Sequence, residues 1–208
     1  MRTQMTRKQK TLQMVQMTML VALVVVLQLV SAIIPPIGGV SITLTLVPVV
    51  IGAILFGIKG GTVLGFFFGL IVLINCITGL DVGGNILWNA NPIFTAIICF
   101  VKGIAAGVVP AWVYSLLTDK KADMSAPKKY FSALVAALLA PTVNTTLFVC
   151  GMFLFFTDTL YAWAGSSDIG TYIIFALAGL NFLVEFIINI VLTPAIVRIV
   201  EIVKRKIK

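Results

Sequence analysis

Apolar residues fill this chain in long blocks that few polar residues interrupt. The first block covers about 12–34 and stops at Pro35-Pro36, with Gly38-Gly39 completing a turn. A second, about 43–57, is short and contains Pro48, which predicts a tilted or kinked helix. The third covers about 60–79. "LDVGGNILWNANP" leads into a fourth block, about 92–117, and "TDKKADMSAPKK" is the only long hydrophilic connection. A fifth block, about 130–156, holds Pro141, and "TDTLYAWAGSSDIG" joins it to a sixth, about 171–200. None shows the alternation of a transmembrane β-barrel strand, so each block predicts a helix.

Composition turns these helices into membrane helices. Of 208 residues, 60% are apolar and 11% charged, and the mean hydropathy is +1.13. So few polar residues cannot cover a soluble surface, and apolar stretches of about 18 residues or more read as spans. The expected fold is an all-α integral membrane protein, a single domain over residues 1–208 with six transmembrane helices. The first block follows basic residues, as a signal peptide would. It is too long for a signal h-region and no small-residue cleavage site follows it, so it reads as the first span.

Net charge is +8, but its placement matters more than its sum. Basic residues sit at Arg2, Arg7, Lys8 and Lys10, at Lys59, from Lys120 to Lys129, and from Arg198 to Lys208. These are membrane-flanking clusters, which argues against a nucleic-acid partner. With the N-terminus in the cytoplasm, the three external connections hold Asp81, Asp158 and Asp168 and no Lys or Arg. That partition follows the positive-inside rule and places both termini in the cytoplasm. Trp88, Tyr161 and Trp163 fall at the external boundaries, where amphipathic rings anchor.

Cys76, Cys99 and Cys150 are unclustered in apolar stretches and read as packing residues, and the chain has no His. Intramembrane aspartyl chemistry needs two nearby carboxylates, and metalloprotease chemistry needs His ligands. The spans hold one acid, so the chain reads as no enzyme, with no metal or cofactor site. Gly61, Gly65 and Gly69 line one face of the third span, and Gly103 with Gly107 repeats the spacing in the fourth. Such ladders let backbones approach, either within the bundle or against a membrane partner.

Function is sought where polar groups interrupt the spans. In "GLNFLVEFIINI", Asn181, Glu185 and Asn189 recur every four residues and share a helix face. A carboxylate facing lipid costs about 3 kcal/mol or more at the bilayer centre, so this face meets protein, water or ligand. Lys102 lies about ten residues into the fourth span, roughly 15 Å deep at helical rise. Two readings stand together: Lys102 and Glu185 pair, or Lys102 receives a ligand carboxylate while Glu185 and the asparagines accept ligand protons. Asn144 follows Pro141, which frees a backbone carbonyl, and Asn189 lies too deep to join. Asn91 before Pro92 fits a helix cap, whereas Asn89 and Trp88 are candidates to close over a ligand from outside. One cation, one anion and several amides in the outer half of a helical bundle suit a vitamin-sized polar metabolite.

"LVPVVIGAILFGIKGGTVLGFFFGL", residues 46–70, resembles the second and third spans of the substrate-binding S-components of energy-coupling factor (ECF) vitamin transporters. The six-span layout, the length and the cytoplasmic ends are similar too. The resemblance implies a vitamin-binding subunit in a bacterial plasma membrane, docked on a membrane scaffold protein with two cytoplasmic ATPases. It also implies that the subunit topples to carry its site inward. The family's docking surface includes Ala-x-x-x-Ala in the first span, where this chain has Thr18 and Ala22. Gly61, Gly65 and Gly69 are further docking candidates. "LWNANP" and "GLNFLVEF" are most similar to pantothenate-type members, and "GGVSITLTLVPVV" resembles biotin-type members. Rival readings are a self-sufficient carrier with Glu185 as its proton carrier, and a non-transporting assembly subunit.

Overall fold

The computed structural model describes residues 7–33, 43–118, 125–165, 167–173 and 179–207, without the side chains of Ile33, Leu180, Asn181 and 204–207. The expected turn at Pro35-Pro36 and Gly38-Gly39, half of the hydrophilic 118–129 connection and part of the sixth block's start lie outside the described residues. Every regular element among the described residues is a helix. In chain order these are α1 (Arg7–Ile33), α2 (Leu46–Thr78), α3 (Val82–Ala90), α4 (Pro92–Leu117), α5 (Ala126–Phe155), α6 (Thr157–Ala164), α7 (Ile169–Tyr172) and α8 (Gly179–Ile207).

Five helices are long and apolar enough to cross a membrane, against six expected blocks. The difference lies in α2, which runs through both the second and third blocks. Its backbone breaks at Gly57, with φ 65° and ψ −154°, a conformation open essentially only to glycine. A Cβ on Gly60 would sit 2.7 Å from the Gly52 carbonyl oxygen, and one on Gly52 would strike the Leu64 side chain. On a straight helix Gly52 and Gly60 would be about 12 Å apart. The chain therefore reverses at Gly57, and its two limbs pack on each other. The kink expected at Pro48 is absent, because Pro48 falls in the first turn of α2, where no intrahelical N–H bond is lost.

Beyond the reversal, the second limb of α2 packs on α4 through glycine. A Cβ at Gly61 or Gly65 would collide with the carbonyl of Gly107 or Gly103, and one at Gly69 would lie 2.6 Å from the Cys99 carbonyl oxygen. As the α2 positions rise the α4 positions fall, so the limbs are antiparallel. Gly61, Gly65 and Gly69 are buried in this seam and closed to a separate docking partner, which corrects that expectation. Around it α1 packs on α2, α5 on α4, and α8 on α5. The core runs through Val24, Leu46, Phe68, Ala106, Ala136 and Ile196. At one end of the bundle Lys129 meets Glu201 at 3.9 Å, joining the start of α5 to the last turns of α8.

The other end is capped by short helices where the sequence suggested loops. Asp81 caps α3 by accepting the Gly84 N–H at 3.1 Å, and Asn91 caps α4 by accepting the Phe94 N–H at 3.2 Å, with Pro92 at the first helical position as expected. A second apolar cluster of Leu87, Ile98, Met152, Phe156 and Leu160 holds α3 and α6 against α4 and α5. Burial of Leu87 and Leu160 is what converts these connections into helices.

Candidate functional site

Beneath that cap lies a cavity reached by side chains from most of the helices. Lys102, Cys99 and Thr95 enter from α4, Asn144, Thr145 and Phe148 from α5, and Glu185 from α8. Gln28 enters from α1, Cys76 and Val72 from α2, Gly83 and Leu87 from α3, and Trp163 from α6. Asp81 and Thr43 complete the wall.

Lys102 Nζ lies over the Phe148 ring, 5.0 Å from its centroid, a cation–π contact that holds the ammonium without neutralising it. Among the described residues Lys102 and Glu185 form no ion pair, although both line the cavity. Glu185 is instead held by backbone: the Thr43 N–H donates to Oε1 at 2.8 Å. Its Oε2 is buried and has no partner, and Asn144 Oδ1 is buried and unpartnered in the same wall. A buried polar atom left unbonded costs about 1–3 kcal/mol, which marks both oxygens as places for a ligand or a water. Among the described residues the site thus offers one cation without an ion-pair partner and two acceptors without a donor.

The segment 43–45 is fastened from two sides. Besides the Thr43–Glu185 bond, the Leu44 N–H donates to Ser31 Oγ at 3.1 Å and the Thr45 hydroxyl donates to Gln28 Oε1 at 2.7 Å. Below the cavity the polar stripe of α8 bonds to its own helix. Asn189 Nδ2 donates to the Glu185 carbonyl at 2.8 Å, and the Thr193 hydroxyl to the Asn189 carbonyl at 2.7 Å. Asn189 does not line the cavity.

Three of the six expected ligand residues, Lys102, Glu185 and Asn144, are therefore brought together. The Asn181 side chain lies outside the described residues. Asn89 and Trp88 do not reach the cavity: Asn89 is exposed and donates to the Asn85 carbonyl at 2.9 Å, while Trp88 packs on the main core. Helix α3 explains this, since it turns Gly83 and Leu87 inward and carries the next residues round to other faces. The tryptophan at the cavity is Trp163, which the sequence suggested as an interface anchor. Gln28 and Thr43 were missed. Gln28 carried the same signal as Asn181, a carboxamide inside an apolar helix, whereas nothing local marked Thr43. Cys76 and Cys99 are buried in the cavity wall.

Comparison with known proteins bears on this arrangement as a whole. The chain is 27% identical over 201 residues to the pantothenic acid transporter PanT of Lactococcus lactis subsp. cremoris, covering 92% of this chain and 94% of that one. Residues 12–197 match the family described as "ECF transporter, substrate-specific component". That match takes in every helix that reaches the cavity, and the chain belongs to this family of ECF transporter substrate-specific components.

Proposed function

We propose that this chain binds pantothenate tightly and delivers it to an ECF-type importer. The observation that carries the reading is one cavity holding an unpaired Lys102 ammonium with the unpartnered Glu185 Oε2 and Asn144 Oδ1. Pantothenate presents one carboxylate, two hydroxyls and an amide, and this set answers the carboxylate and the two hydroxyls. Likeness to a pantothenic acid transporter supports the choice. Biotin, which also has a carboxylate, is next.

The chain crosses the membrane six times in this reading, with both termini cytoplasmic. The reversal at Gly57 supports it by dividing α2 into two opposed limbs, and the charge partition supports the orientation. ATP hydrolysis belongs to separate subunits, and a scaffold subunit docks on α1. Thr18 and Ala22 are exposed on that helix beside Met14, Met19 and Val26, so a small-residue strip there is open to a partner. Glu185, a lone buried carboxylate with a free oxygen, is what favours the carrier alternative.

Uptake of labelled pantothenate into cells lacking their own transporter separates these readings. Uptake that requires this chain, the scaffold and both ATPases is the expected result. Uptake by this chain alone, driven by a proton gradient, would contradict it.

A further inference from the structure

Gln28 lies well inside an apolar helix, 5% exposed, and lines the cavity. Val24, Gln28 and Ser31 are buried at i, i+4 and i+7, so they mark the inward face of α1. The hydroxyl of Thr45, itself fully buried, donates to Gln28 Oε1. That bond distinguishes the two ends of the carboxamide: oxygen toward Thr45, the two N–H donors of Nε2 away from it. No described residue accepts from Nε2, and the residue lines the cavity.

Glu185 reaches the same cavity from α8, and the residues that Glu185 and Gln28 hold, Thr43 and Thr45, are two apart in sequence. Helix α1 packs on α2 and α8, whereas α4, which carries Lys102, packs on α2, α3 and α5. Gln28 and Glu185 thus both hold the segment 43–45, whereas Lys102 enters the cavity from α4. We infer that Gln28 contacts the ligand and sets specificity: its N–H donors and Glu185 Oε2 together grip a neutral group that carries a carbonyl beside a hydroxyl, at the end of the ligand remote from Lys102. Thr45 is the positioning residue that turns the carboxamide. This rests on the vitamin reading above, in which the neutral group is the hydroxy-amide of pantothenate.

Isothermal titration of the purified full chain with pantothenate and with pantothenol, whose hydroxymethyl replaces the carboxylate, separates the role of Gln28 from that of Lys102. Gln28→Met weakens both ligands by the same factor, roughly tenfold for one lost buried hydrogen bond. Gln28→Glu keeps an oxygen for Thr45, puts an acceptor where the donor was, and weakens both further. Lys102→Met acts chiefly on pantothenate. Thr45→Val falls between wild type and Gln28→Met and adds nothing in the Gln28→Met background, as a residue acting through Gln28 must. Unfolding temperatures of the ligand-free variants distinguish a lost contact from a lost fold. Unchanged affinity for both ligands in the two Gln28 variants, with nanomolar binding by wild type, would overturn this inference and leave the vitamin reading standing. Loss confined to pantothenate would overturn it too, by placing Gln28 at the carboxylate. A folded wild type that binds neither ligand would overturn the vitamin reading itself, and this inference with it.

Discussion

Thr43 and Glu185 stand 142 residues apart in sequence and are joined at 2.8 Å, the backbone N–H of one donating to a single carboxylate oxygen of the other. The second oxygen is left buried and unbonded. One side chain thus fastens the entry to α2 and faces the cavity with its remaining acceptor. Under the proposed function structure and binding meet in that carboxylate, and substitution can pull them apart.

Glu185→Gln keeps an oxygen for the Thr43 N–H and puts an N–H donor where Oε2 was. Pantothenate affinity falls by roughly tenfold or more, while the unfolding temperature of the ligand-free chain changes little. Glu185→Leu removes both roles, so affinity and unfolding temperature fall together. Titration calorimetry with thermal unfolding reads both quantities on the same preparation.

Asn144 and Asn89 are both asparagines near the capped end of the bundle, yet only Asn144 lines the cavity. Asn144→Ala is expected to weaken pantothenate roughly tenfold. Asn89→Ala, at an exposed position bonded to Asn85, is expected to leave affinity unchanged. Equal losses in the two variants would show that the short helix α3 does close over the ligand.

Gly65→Ala places a methyl against the Gly103 carbonyl in the seam between α2 and α4. Overpacking of this kind costs about 1–3 kcal/mol, so the unfolding temperature drops. Gly57→Ala meets no neighbouring atom within 4 Å but must hold a positive φ, at a cost of about 1–3 kcal/mol from the backbone alone. A larger residue at 57 therefore adds little to the loss, whereas Gly65→Leu adds much. Thermal unfolding of the four variants tests that contrast.

Thr18→Leu and Ala22→Leu alter exposed positions of α1, remote from the cavity lining. Vitamin binding by the purified chain stays at the wild-type level. Uptake by cells that also express the scaffold and ATPases falls severalfold. Wild-type uptake in the double variant would move the docking surface elsewhere.

Much of this fold was legible because bilayer and helix impose simple rules. Block lengths announced the long apolar helices, Asn91 with Pro92 the start of α4, and the spacing of Gly61, Gly65 and Gly69 a close helix contact. Its partner was not legible, since spacing states that a backbone comes near without saying whose. The reversal at Gly57 was visible as a break between the second and third blocks, but not as a single glycine between two continuous helices. Short helices α3 and α6 escaped because Leu87 and Leu160 are buried only by the tertiary cluster they join.

Charge inside apolar helices pointed to Lys102 and Glu185, and both line the cavity, because few other arrangements tolerate them. Neutral amides were harder to sort. Asn144 and Gln28 face the cavity while Asn89 faces away, and helix phase within the bundle decides that. Trp163 and Trp88 exchanged expected places for the same reason. Thr43 acts through its backbone N–H, which no side-chain pattern records.

The most direct test is calorimetric titration of the purified chain, stripped of endogenous ligand, with pantothenate beside biotin, riboflavin, thiamin and folate. The account predicts nanomolar binding of pantothenate alone, weakened roughly a hundredfold by Lys102→Met as a desolvated charge pair is lost. Folded protein that binds none of the five, or binds pantothenate equally well without the Lys102 ammonium, would contradict it.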